Sequence, residues 1–176
     1  MVSKKLLLTL IASCVAINLY SKYSANANAP ERIPGFKGAT AWLRGKAVGQ
    51  DDLRGKVVLV DFYTSRCSNC LAAVPHISEL HRRYKDRGLV VVGVHTPEFE
   101  EERDPKLIEK TAQRLGVEYP VAIDNDHAIW NLYHNQYWPN LMLFDKTGKL
   151  VYAHAGEGDY EQTEQAVQAL CNNQTI

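Results

Sequence analysis

Cysteine is scarce in this sequence, and neither sign of charge is in excess. Only Cys14, Cys67, Cys70 and Cys171 occur among 176 residues, which excludes a scaffold held together by several disulfides. Lys and Arg number 20, and so do Asp and Glu. Without a basic surplus there is no electrostatic footprint for nucleic acid, and without an acidic run there is no signature of disorder. No stretch is of low complexity, and none repeats at a solenoid period. Beyond Tyr20 no apolar run approaches the length of a membrane span. What is there is the profile of one compact domain, 45% hydrophobic and long enough to bury a core.

The first residues read differently. Met1 to Lys5 is cationic, Leu6 to Ile17 is apolar but short for a bilayer, and Ala25-Asn26-Ala27 has the pattern of a cleavage site. Residues 1–27 are therefore expected to be a signal peptide or membrane anchor, with three readings open. The leader is cut after Ala27, or Ile11-Ala12-Ser13-Cys14 is a lipobox that leaves a lipidated Cys14 at the mature terminus, or the run to Tyr20 stays as an uncleaved anchor. A buried N-terminal helix of the domain is the plain alternative. All three leader readings place the rest of the chain in the periplasm or another extracytoplasmic space, where a thiol pair oxidises unless a donor keeps it reduced.

Residues 28–55, rich in glycine and charge, are expected to be a lead-in with a small hairpin or loop around Ala39–Leu43. Residues 56–172 are expected to form the domain proper. Lys56 to Tyr63 is a continuous β-branched and apolar run, as in a strand buried on both faces. Leu71, Val74, Ile77, Leu80 and Tyr84 recur at helical spacing over 69–87, and Gly88 closes the segment. Further strands are expected at Leu89–Val94, Val121–Ile123, Leu141–Phe144 and Leu150–His154, the last two joined by the turn Asp145–Lys149. Helices are expected at Pro105–Leu115, Asp126–Tyr133 and Tyr160–Leu170. Alternating strands and helices with a late hairpin give an α/β fold with a mixed sheet.

Cys67 and Cys70 stand between the first strand and its helix. A c-type haem hook needs His after the second cysteine, and position 71 is Leu. Structural zinc wants four ligands, and no second pair exists. Copper on two soft ligands stays open. A disulfide across so few residues would constrain almost no chain entropy, which argues against a purely structural bridge. A redox pair has its own physical case: free N–H groups and the dipole at a helix start favour a thiolate, with Cys67 at the exposed edge and Cys70 one turn inside.

These residues resemble a known family. Val60-Asp61-Phe62-Tyr63 followed by Cys67-Ser68-Asn69-Cys70 looks like the active-site segment of the thioredoxin superfamily, and Leu53 to Val60 resembles the lead-in of its exported TlpA/ResA-like branch. Gly93-Val94-His95-Thr96-Pro97-Glu98-Phe99, Tyr137-Trp138-Pro139 and Gly156-Glu157-Gly158-Asp159-Tyr160 resemble the periplasmic thioredoxin-like domain of DipZ-type proteins. The resemblance runs from about Gly35 to Leu170 and lacks the multi-spanning membrane domain fused elsewhere. It implies a thioredoxin fold, a central mixed sheet flanked by helices, with a hairpin-like N-terminal extension and a strand–helix insertion. It also implies an exported thiol–disulfide oxidoreductase, acting as a reductant of periplasmic disulfides, with apocytochrome c among the candidate substrates.

By the same resemblance Cys67 is the nucleophile, Cys70 the resolving thiol and Asp61 the buried acid that assists it. Glu98 is an acid near the active site, Pro139 follows a cis bond, and Trp138 lies beside it on the substrate face. No cofactor or metal is implied. The partners it implies are disulfide-bearing proteins and a separate membrane electron donor; the chain itself is expected to be a monomer with no nucleic acid involved. Two alternatives stand beside this reading: a copper-binding assembly chaperone, and a peroxiredoxin. For the latter Thr64 has the right spacing to Cys67, but Val60 stands where a proline is expected. The histidines are expected to be structural, and Cys171 to be a free thiol of no catalytic role.

Overall fold

The apolar run at the start of the domain forms a strand with every position buried, because both of its faces are covered. The computed structural model describes residues 29–172; the expected leader, Cys14 included, lies outside them. The elements are β1 (Ala41–Leu43), α1 (Gln50–Leu53), β2 (Val57–Tyr63), α2 (Ser68–Tyr84), β3 (Leu89–His95), α3 (Pro105–Arg114), β4 (Val121–Ile123), α4 (Ala128–Leu132), β5 (Asn140–Phe144), β6 (Leu150–Ala155) and α5 (Tyr160–Cys171). Two 3₁₀ turns, Lys85–Arg87 and Glu100–Arg103, end α2 and precede α3. The strands form one sheet in the order β1-β4-β3-β2-β5-β6. β2, β3 and β4 run parallel, while β5, β6 and β1 pair antiparallel to their neighbours. The expected mixed α/β thioredoxin architecture is present, and α3 with β4 is the strand–helix insertion.

Alternation along β2 divides the core. Val57, Leu59 and Tyr63 join a cluster with Val74, Ile77, Leu80 and Tyr84 of α2 and Val167 of α5. Val58, Val60 and Phe62 join a second cluster with Phe36 and Leu53 of the lead-in and Ile129 and Tyr133 around α4. Asp61 shares its parity with the first set, and so points toward the side of the sheet that carries α2. Each fully buried large apolar side chain of α2 stabilises by about 1.5–3 kcal/mol, so this face alone fixes the helix on the sheet. The helix ends where Gly88 takes φ 92°, a left-handed conformation that favours glycine.

The lead-in differs from the hairpin-like form expected of it. It contributes a single strand and one helical turn, and β1 pairs with distant β4 (Ala41 opposite Ile123) instead of with a neighbouring segment. Earlier in the lead-in, Ile33 N–H donates to the Gly148 carbonyl at 2.9 Å and Leu150 N–H to the Glu31 carbonyl at 2.9 Å. The lead-in therefore touches the sheet at both ends of its strand order. A short apolar piece such as Ala41–Leu43 has no local partner written beside it, which is why its pairing was not legible.

Candidate active site

The site begins at the end of β2, where the chain leaves the sheet and enters α2. Cys67 is the N-cap of α2, and its Sγ accepts the Cys70 N–H at 3.3 Å. Cys67 is half-buried and Cys70 fully buried. One sulfur therefore meets the outside and the other faces the core, as expected. Both are thiols, as is Cys171, which is buried at the end of α5 within the α2-side cluster. Burial pushes the Cys70 thiol well up, with hydrogen bonding to Cys67 and the charges of Cys67 and Asp61 adding to it.

Asp61 is 1% exposed, and burial raises its pKa to about 7. The Tyr119 hydroxyl donates to its Oδ2 at 3.4 Å and pulls in the opposite direction. Room for that tyrosine comes from Gly93, which pairs with Asp61 across β2 and β3. A Cβ at Gly93 would lie 3.1 Å from Tyr63 and 3.2 Å from Tyr119. A buried carboxyl with a pKa near neutrality can take a proton from a neighbouring thiol and release it later.

The segment before β5 holds the expected Trp138 and Pro139. The Trp138–Pro139 bond is cis, and the Pro139 carbonyl accepts the Gly156 N–H at 2.8 Å. Trp138 is half-buried and lies against Trp130, ring centroids 4.2 Å apart. Trp130 is fixed in turn: Asp124 Oδ2 accepts its N–H at 2.8 Å and the Thr96 hydroxyl at 3.1 Å, and Oδ1 accepts the Ile129 N–H at 2.9 Å. The three stretches that carried the resemblance thus meet around one site. His95 and the Glu98–Phe99 backbone tie Gly93–Phe99 to the loop before Cys67, directly and through Glu102, Trp138 and Cys67 pack against the same core cluster, and Gly156 holds the proline carbonyl.

Glu98 has an exposed side chain, and its contribution to the loop is a backbone N–H given to Glu102. The acid that reaches the loop before Cys67 is Glu102, fully buried and bonded to Thr64 and Arg66. Sequence reasoning missed it because it closes an acidic run that reads as a solvated surface. His95 was also passed over as structural, yet its Nε2 takes the Ser65 N–H at 3.1 Å and lies 2.5 Å from the Ser65 hydroxyl. Burial lowers its pKa to about 4, so the ring stays neutral and keeps its acceptor. Its place as the last residue of a strand buried at all positions but Val90 was the available signal.

The Thr64 hydroxyl donates to Glu102, which turns its proton away from Cys67, where peroxide chemistry would need it. Among the described residues no cluster of three or more His, Cys, Asp or Glu is placed to hold a metal, so a metal here would have only the two thiols. What the arrangement can do is thiol–disulfide exchange: an accessible thiol at a helix N-terminus, a shielded partner one turn on, and a buried carboxyl whose charge acts on that partner.

Comparison with known proteins agrees. DipZ of Mycobacterium bovis is 46% identical over 143 residues, 80% of this chain but 21% of DipZ, so the chain spans about a fifth of that relative. The thiol-disulfide oxidoreductase YkuV of Bacillus subtilis is 34% identical over 135 residues, 77% of this chain and 90% of YkuV. The solution structure of a thioredoxin-like protein in its oxidized form is similar with a TM-score of 0.72 and 33% identity, over 84% of this chain and 97% of that one. The AhpC/TSA family profile matches residues 30–153, and the chain belongs to that family, within the thioredoxin superfamily.

Proposed function

We propose that the chain is an exported thiol–disulfide oxidoreductase that reduces disulfides of extracytoplasmic proteins, cytochrome c precursors among its candidate substrates. The observation that carries this is the asymmetry of the pair, with Cys67 half-exposed at the N-cap of α2 and Cys70 buried, where the charge of Asp61 reaches it. The Cys67 thiolate attacks one sulfur of a substrate disulfide, that S–S bond breaks, and the released substrate thiolate takes a proton from solvent. Cys70 then gives its proton to Asp61 and attacks Cys67 Sγ. The second substrate thiol leaves, and the Cys67–Cys70 disulfide holds the oxidising equivalent, two electrons having passed to the substrate. A separate membrane protein would return those electrons. Trp138, Pro139 and the exposed Glu98 would line the substrate's path. Residues 1–27 would be the exporting leader or anchor, 28–55 the lead-in and 56–172 the redox domain, working as a monomer.

The test is to express Cys70→Ser in the extracytoplasmic space, quench with acid and run non-reducing gels. Covalent adducts that vanish with reductant and depend on Cys67 are the expected result. Adducts accumulating in Cys67→Ser would reverse the order of attack. No adducts in either variant, together with tight copper binding by the reduced protein, would replace this reading with a metallochaperone.

A further inference from the structure

Exchange chemistry leaves the buried part of the segment after β3 without a role, yet together with His95 at the end of β3 it holds every residue leading to the nucleophile. Glu102 is fully buried. Its Oε1 accepts the Thr64 hydroxyl at 2.5 Å and the Arg66 N–H at 2.8 Å. Its Oε2 accepts the N–H groups of Glu98 and Phe99, each at 3.0 Å. Burial by itself would raise the pKa of this carboxyl, but the bonds from Thr64, Phe99, Glu98 and Arg66 outweigh it and hold it below the usual range. Four donors replace the water that a buried carboxylate gives up. Ser65, between Thr64 and Arg66, is bonded to His95. The chain from the end of β2 to Cys67 thus has no unheld residue. On the outer side Phe99 is half exposed, with the Arg66 guanidinium 5.7 Å from its ring.

We propose that Glu102 is a positioning residue for Cys67: one carboxylate locks the Thr64–Arg66 loop, which presents the nucleophile, to the Glu98–Phe99 segment at the rim of the site. The inference rests on the exchange reading only in taking Cys67 as the attacking thiol. Glutamine cannot replace the carboxylate, because its amide nitrogen would meet two donors where an acceptor is required. In Glu102→Gln one of the two segments is released. Once the loop is loose, Cys67 Sγ drifts from the Cys70 N–H that favours its thiolate. Loss of the buried negative charge alone would act in the opposite direction and favour the thiolate, so the two roles are separable.

The experiment follows alkylation of Cys67 by iodoacetamide across pH, in the reduced full-length protein carrying Cys14→Ser, Cys70→Ser and Cys171→Ser, with folding checked by circular dichroism. Adding Glu102→Gln is expected to move the midpoint upward by about half a pH unit or more and to slow the reaction at neutral pH about threefold. Thr64→Val, which removes one of the four bonds, is expected to shift it the same way by less. An unchanged profile in a folded Glu102→Gln protein overturns the proposal, and so does a downward shift, which would make the residue a source of charge. If Glu102→Gln does not fold, Thr64→Val alone decides, and an unshifted profile there overturns it. Alkylation needs no disulfide substrate. Failure of the wild type to reduce insulin would sink the proposed function and leave this result standing.

Discussion

Asp61 changes charge near neutral pH because burial holds its pKa at about 7. If it takes the Cys70 proton, only the second half of the exchange depends on it. Asp61→Asn should therefore slow resolution by a factor on the order of 100 near neutral pH, within the usual range for a lost general base. Attack by Cys67 on a small disulfide should change little. Stopped-flow kinetics across pH separates the two steps, and equal losses in both would make Asp61 a structural residue. Tyr119 provides an independent handle. Its hydroxyl lowers the Asp61 pKa against the larger effect of burial, so Tyr119→Phe should raise that pKa and move the pH dependence of resolution upward by up to about one unit. A downward move would contradict the assigned direction of the hydrogen bond.

The short helix α4 shows how one residue organises an element. Asp124 is fully buried and accepts from the Thr96 hydroxyl and from two N–H groups at the start of α4. Asp124→Ala strands those donors and should destabilise the protein by about 2–4 kcal/mol, measured by urea unfolding. It should also alter the near-ultraviolet circular dichroism, because Trp130 leans on Trp138. A loss within experimental error of zero would mean that water replaces the carboxylate. The elements themselves were largely written in the sequence. Uninterrupted apolar runs marked β2 and β3, and the spacing from Leu71 to Tyr84 marked α2, because period and burial go together. The cysteine pair and Asp61 were legible for the same reason, since they sit at and just before a strand-to-helix junction. Glu102 and His95 were not, because their role depends on contact with Thr64, Ser65 and Arg66 across the sheet. Nothing local separates Glu102 from the exposed acids of the same run.

Over the whole molecule, Asp61 and His95 act on stability with opposite signs. Asp61 binds its proton more tightly folded, with a pKa of about 7 against 3.8 unfolded. Its contribution is full below the unfolded value and lost as pH rises through about 7. His95 binds its proton less tightly folded, about 4 against 6.5, so its effect reduces stability as pH falls from 6.5 toward 4. Between about pH 4 and 6.5 the two slopes oppose each other, each near 1.4 kcal/mol per pH unit. Asp61→Asn removes one of them. Relative to the wild type, that variant should gain about 4 kcal/mol between pH 4 and 7, read from urea titrations at a series of pH values. A constant difference between the two proteins would show that Asp61 has the same pKa folded and unfolded.

The reach of the lead-in bears on the order in which the molecule can be completed. Residues 31–43 are synthesised before the rest of the domain, but their partners are the Gly148–Leu150 turn and β4, which are made much later. The earliest part of the domain must therefore wait as open chain until nearly all the rest has appeared, and only then fasten across it. Such a clasp makes any half-made product an unfinished sheet with both margins unsecured, and it leaves the polypeptide threadable for longest at the end that emerges first.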